Sequence, residues 1–335
     1  MMNLGELDAK PLKRAYPEEV KTVEYLSMGD ESLQPALFWK PEGKTGKVPL
    51  LVALHTWSND YTQAGGEVLY AEWCQQVDWA FIHPNFRGPN WTPAAMGSEL
   101  AVADILSAVE FAKQEASIDE DRIYVIGVSG GGHASLLMAG RAPRLWAGVS
   151  AWCGISDIAA WHRECSENEQ FIRYANHIEK ALGGAPFDDP DRLKDAQQRS
   201  PITWLNSAGD VPLDINHGVH DGRTGSVPFS HSLHAWNAAV PEVDRFDSAS
   251  IGQVYESQNF ETPFDGVDAL YGARQPVFRK TSGATRLTIF EGDHEIIHEA
   301  ALNWLAAQHR GKEVVWEVEK VADLKSDEAD KESGK

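Results

Sequence analysis

Apolar residues in this chain come in short blocks, each closed by glycine, proline or a polar cluster. Val48-Pro-Leu-Leu-Val-Ala-Leu54, Ile123-Tyr-Val-Ile126, Thr285-Arg-Leu-Thr-Ile-Phe290 and the blocks 80–83, 147–152 and 214–217 are the length of strands. Apolar runs of this length suit strands of a parallel sheet covered on both faces. Helical segments are predicted between them at 62–77, 97–115, 134–139 and 297–309. In the second of these, Leu100, Val102, Ile105, Val109 and Ala112 approximate helical spacing. Segments 22–27 and 36–40 read as antiparallel edge strands ahead of the main sheet. Alternating strands and helices give an α/β class.

One junction carries chemistry. Arg122-Ile-Tyr-Val-Ile-Gly-Val-Ser-Gly-Gly-Gly-His-Ala134 reads as strand, serine, helix, with Gly127 and Gly131 two residues either side of Ser129. Such a turn is a nucleophile elbow, in which side chains at those glycine positions would collide with backbone. A serine hydroxyl needs a histidine base and an orienting carboxylate, here expected downstream in the order Ser, Asp, His. In Leu213-Asp-Ile-Asn-His-Gly-Val-His-Asp-Gly222 a strand runs out into a loop that offers Asp221. His294 lies just past the strand that ends in Gly292. The expected nucleophile is therefore Ser129, the acid Asp221 and the base His294.

Four separated segments, Asn85-Phe-Arg-Gly88, Gly127-Val-Ser-Gly-Gly131, His217-Gly-Val-His-Asp-Gly222 with Val227-Pro228, and Gly292-Asp-His294, together resemble the pattern of the prolyl oligopeptidase type of α/β-hydrolase. The resemblance covers roughly residues 45–310. It implies a mostly parallel eight-stranded sheet with helices on both faces, and the same three residues as the triad. The expected organisation is an N-terminal lead-in at 1–44, a catalytic domain at 45–312 and a C-terminal extension at 313–335 whose end is disordered. Two insertions, 157–205 and 241–283, are expected to roof the pocket as lids.

The oxyanion hole is expected from the backbone N–H groups of Gly130 and Trp57, the latter in the loop His55-Thr-Trp-Ser-Asn59. Relatives usually carry His-Gly here, and Thr56 replaces that glycine. Trp57 reads equally as packing or as lining of an acyl pocket. Trp57, Trp91, Trp152, Trp161 and Trp236 are the candidate substrate contacts among twelve tryptophans. His298 is a second candidate base set further from the loop, His133 reads as packing and His55 as a support of the oxyanion loop. His217 and His220 flank Asp221 and suggest a metal group, but the triad needs no metal and no metal-ligand spacing motif occurs, so no cofactor is expected.

With 42% hydrophobic residues among 335, a large core is available. The net charge of −20 disfavours nucleic acid or an anionic membrane surface as partner, and no apolar run is long enough to span a membrane. Three cysteines argue against a disulfide framework, and the first ten residues lack a signal-peptide pattern, so a cytoplasmic location is expected. A homo-oligomer is left open. The leading functional expectation is a serine esterase acting through an acyl-enzyme on acylated carbohydrate or small esters, because a lead-in of this length is too short for the propeller that gates family peptidases. The alternative is a peptidase or aminopeptidase on short peptides, which needs an acidic anchor such as Glu164, Glu167 or Glu169. A non-catalytic binding protein on the same scaffold is the third.

Overall fold

The computed structural model describes residues 14–320. Nine strands form one sheet in the order β1-β2-β4-β3-β5-β6-β7-β9-β8. They are β1 (Lys21–Leu26), β2 (Leu33–Trp39), β3 (Val48–Leu54), β4 (Ala80–Pro84), β5 (Ile118–Val128), β6 (Gly148–Trp152), β7 (Leu213–Gly218), β8 (Pro276–Ser282) and β9 (Thr285–Phe290). The six from β4 to β9 in that order are parallel, while β1, β2 and β8 pair antiparallel at the two edges. The sheet thus has one strand more than the eight implied by resemblance.

Side chains alternate across a strand, so each central strand feeds two cores. Leu50, Val52 and Leu54 of β3 join one cluster with α2 (Glu99–Glu115), α3 (Gly130–Arg141) and α7 (Ser230–Ala239). Leu51 and Ala53 point the other way, into a cluster with α1 (Glu67–Gln76) and α9 (His298–Ala306). The described part of the C-terminal extension joins this second face, with Trp316 stacked on Trp304 at 5.8 Å. The segment 326–335, expected to be disordered, lies outside the described residues.

Chain order reverses between β3 and β5, since β4 lies on one side of β3 and β5 on the other. In open α/β sheets ligands bind at such a switch point, beyond the carboxyl ends of the strands. Here those ends carry the 55–59 loop and Ser129.

The two insertions behave differently. The first folds into α4 (Ile158–Ser166), α5 (Ile172–Leu182) and α6 (Pro190–Gln198), and α5 reaches the cleft at this switch point. The second does not roof the cleft. Its helix α8 (Ser248–Ser257) packs on α7, and its last part is β8, zipped to β9. Phe246, Phe260 and Phe278 spend its aromatic surface on packing.

Candidate active site

Ser129 sits between β5 and α3 with φ 60° and ψ −119°, a conformation that a residue with a β-carbon rarely adopts. The turn is tight enough that a Cβ on Gly127 would lie 2.4 Å from the carbonyl carbon of Gly131. Ser129 N–H donates to Trp152 O at 2.9 Å, fixing the elbow to β6.

The 55–59 loop, expected to supply an oxyanion donor, lies directly over the elbow. A Cβ on Gly130 would fall 2.4 Å from Trp57 N, so these two backbone amides sit side by side. The loop is held from behind: His55 bridges Thr56 O and Asn85 O at 2.9 Å each, and Asn90 N–H donates to Trp57 O at 2.9 Å. Thr56, at the position where the resemblance implies glycine, is tied through its N–H to Gln63 Oε1 at 2.9 Å. The Asn85-Phe-Arg-Gly88 turn is pinned by Arg87, which donates to the buried carboxylate of Asp104 at 2.7 Å.

Asp221, fully buried after β7, receives four donors. Oδ1 accepts from Gly222 N–H at 2.9 Å and Val227 N–H at 3.2 Å. Oδ2 faces His294 Nδ1 at 2.5 Å and His217 Nε2 at 2.9 Å. His217 Nε2 also faces Val227 O at 2.9 Å, and two acceptors require that this nitrogen carry the proton. His217 Nδ1 then accepts from Ser232 Oγ at 2.7 Å. By the same reasoning His294 holds its proton on Nδ1, leaving Nε2 with a lone pair.

Burial works against a charged Asp221, but the charge and hydrogen bonds of His294 and His217 hold it well below the usual carboxylate range. Burial also works against a charged His294, and Asp221 outweighs it, so the His294 pKa is raised. Beneath the pair, the Cys153 thiol lies 3.4 Å from Glu295 O, and burial pushes its pKa well up.

Among the described residues, Cys153, His217 and Asp221 bring potential metal-ligating atoms within 4.8 Å of one another. All three are buried, and the imidazole and carboxylate are committed to each other. His220, the other candidate ligand, turns away to Glu291 at 2.7 Å.

Ser129 and His294 open on a cleft of about 820 Å³. The 55–59 loop lines its floor, and one wall consists of the start of α1 with Glu295, Ile296 and His298. The other carries Trp91 with Arg173, Tyr174 and His177 of α5, three residues without a sequence motif that would have marked them. His298 also lines the cleft, on the α1 side, with its ring close against Gly66. His133 is buried, bonded to Arg199 O at 2.8 Å.

Of the five tryptophans expected to contact substrate, Trp57 and Trp91 line the cleft. The other three are corrections. Trp161 stands one layer behind Trp57, ring centroids 4.6 Å apart, with its N–H given to Ser226 O. Trp152 packs in the core against Phe290, and Trp236 is wholly buried beneath the second insertion, bonded to Asp244 O. Their apolar area is worth more inside than at a wet cleft.

The second insertion touches the acid loop instead of the cleft. Gln258 Nε2 donates to Val219 O at 2.6 Å, and Arg223 reaches Tyr255 O at 2.7 Å. Gly225 covers Asp221 so closely that a Cβ there would meet Oδ1 at 2.2 Å.

The Prolyl oligopeptidase family profile matches residues 73–249, more than half of the chain. The chain belongs to the prolyl oligopeptidase family. The matched stretch contains Ser129 and Asp221, and His294 lies beyond it. Dipeptidyl aminopeptidase BIII of Pseudoxanthomonas mexicana is 26% identical over 251 residues, which is 70% of this chain and 34% of that protein. Among solved structures, an acylaminoacyl peptidase in complex with Z-Gly-Gly-Phe-chloromethyl ketone is 19% identical with a TM-score of 0.51, over 66% of this chain and 34% of that one. Uncomplexed Pyrococcus horikoshii acylaminoacyl peptidase is 17% identical with a TM-score of 0.50, over the same shares. These structures share the α/β-hydrolase fold. The chain spans about a third of the length of each relative. The family is one of serine hydrolases. Among the described residues no helix is long and apolar enough to cross a membrane.

Proposed function

We propose that this chain is a serine peptidase acting on short peptides through an acyl-enzyme. The observation that carries the reading is the Asp221–His294 contact at 2.5 Å, opening on the same cleft as a serine with a strained backbone. His294 Nε2 takes the Ser129 proton as Oγ attacks the carbonyl carbon, and Asp221 stabilises the imidazolium that forms. The amides of Gly130 and Trp57 stabilise the oxyanion. His294 then gives the proton to the leaving nitrogen, and a water repeats the sequence to release the acid. A cleft of about 820 Å³ suits a short peptide. The name of the dipeptidyl aminopeptidase relative supports peptide bonds over esters.

One observation favours the esterase reading. The acidic residues expected to anchor a substrate amine, Glu164, Glu167 and Glu169, are not among the cleft's lining, and Glu164 is engaged by His231 at 3.0 Å. An ester needs no such anchor. The two readings separate when one acyl group is offered as an anilide and as an ester, to wild type and to Ser129→Ala. Ser129-dependent anilide cleavage is expected. Ester turnover with a silent anilide would reject the peptidase in favour of the esterase, and activity that survives Ser129→Ala would reject both.

A further inference from the structure

The charges lining the cleft do not cancel. Arg14 is paired with Glu72 at 3.1 Å, Glu295 with Arg274 at 2.9 Å and His294 with Asp221. Glu67 is buried, and desolvation raises its pKa toward the neutral form. Arg173 differs: it is exposed on the cleft and makes no ion pair among the described residues. Its Nη2 donates to Tyr174 Oη at 2.8 Å and its guanidinium lies 4.7 Å over that ring, so the side chain is held in place without being neutralised.

One helical turn on, His177 packs against Trp91 with ring centroids 4.7 Å apart. Among the described residues its buried Nδ1 has no hydrogen-bond partner. Burial, then Lys180 and Arg173, lower its pKa and keep the ring neutral. The wall therefore offers a fixed cation, a neutral imidazole and the faces of Trp91 and Tyr174.

The acyl portion of a substrate lies away from the group that protonates its leaving group. His294 must stand next to the leaving group to protonate it, and residues 295–298 continue on that side with α1 against them. The Arg173 wall joins the oxyanion loop by another route, Trp57 to Trp161 at 4.6 Å and Trp161 to Tyr174 at 5.2 Å.

We propose that Arg173, with Tyr174, His177 and Trp91, forms a subsite for a carboxylate carried on the acyl portion of the substrate. A guanidinium matches a carboxylate with two parallel donors, and stacking on tyrosine orders it beforehand. The inference rests on the hydrolase reading above and narrows it to anionic acyl groups.

The test uses two 4-nitrophenyl esters of the same shape, the glutarate half-ester and the glutaramate ester, which differ by carboxylate against carboxamide. Wild type is expected to favour the half-ester by about tenfold in kcat/KM, mostly through KM, and to lose the preference as salt rises. Arg173→Gln should bring the ratio to one or below, because the remaining net negative charge only repels the anion, and Arg173→Lys should restore part of it. A wild-type ratio at or below one, or a ratio unchanged in Arg173→Gln, overturns the subsite. The uncharged glutaramate ester reads hydrolysis by itself, so its failure with wild type indicts the hydrolase reading and not Arg173. The subsite is then decided by calorimetry of glutaramate against glutaramide on the Ser129→Ala protein. Tighter glutaramate binding that disappears with Arg173→Gln supports it, and equal binding or a preference that survives Arg173→Gln rejects it.

Discussion

His217 Nε2 stands 2.9 Å from Asp221 Oδ2, the same oxygen that accepts the hydrogen bond of His294 Nδ1 at 2.5 Å. A buried carboxylate keeps its charge only if donors replace water, and His217 is one of four. His217→Leu should lower kcat by about 10- to 100-fold with little change in KM, and cost about 1–3 kcal/mol of stability. His217→Gln, which keeps a donor, should recover most of kcat. Separate kcat and KM values with a denaturation midpoint check this, and unchanged kcat in His217→Leu would refute it.

The pH profile follows from the His294 pair. Only the neutral imidazole accepts the Ser129 proton, so activity is off below the His294 pKa and on above it. Asp221 raises that pKa, so the acid limb of kcat/KM should lie above the ordinary imidazole value of about 6.5. Asp221→Asn removes the charge and leaves burial in command. The limb should then move to lower pH while kcat falls by about 10⁴. A limb that stays in place would show that Asp221 does not set it.

Gly130→Ala would drive a Cβ to 2.4 Å from Trp57 N. Backbone cannot yield as a side chain does, so the oxyanion loop must shift. Loss of one donor from such a site costs about 10²–10³ in kcat. Steady-state rates beside circular dichroism of the folded protein would reveal it, and a wild-type kcat would remove Trp57 from the oxyanion role.

Trp236 and Trp91 should behave oppositely. Trp236→Ala empties a fully buried site and should cost about 3–5 kcal/mol in denaturant while leaving KM alone. Trp91→Ala sits at the cleft and should change KM with a smaller stability loss. A KM effect from Trp236→Ala would return it to the site.

Much of the frame was legible because buried parallel strands have a simple signature. Val48–Leu54 is apolar at nearly every position and its bounds emerge unchanged. Asp221 and His294, expected from motifs on two different strands, meet at 2.5 Å, and Ser129, expected from a third, lines the same cleft as His294. Edge strand β8 was missed, since Pro276-Val-Phe-Arg-Lys-Thr-Ser282 has one face in solvent and its charges read as loop. The tryptophans were misjudged because a large aromatic suits a core and a pocket equally, and only tertiary burial separates them. Arg173 and His177 gave no signal at all, being ordinary helix-surface residues until α5 turns them toward Ser129.

The acid loop leans on α8 and its cap through Tyr255 and Gln258, whereas the first insertion borders the cleft through α5. The two insertions therefore differ in how freely a lineage can rewrite them. Exchanges in the first would retune what is recognised and leave the chemistry intact. Exchanges in the second would slow turnover of every substrate alike, although no residue of 241–283 lines the cleft.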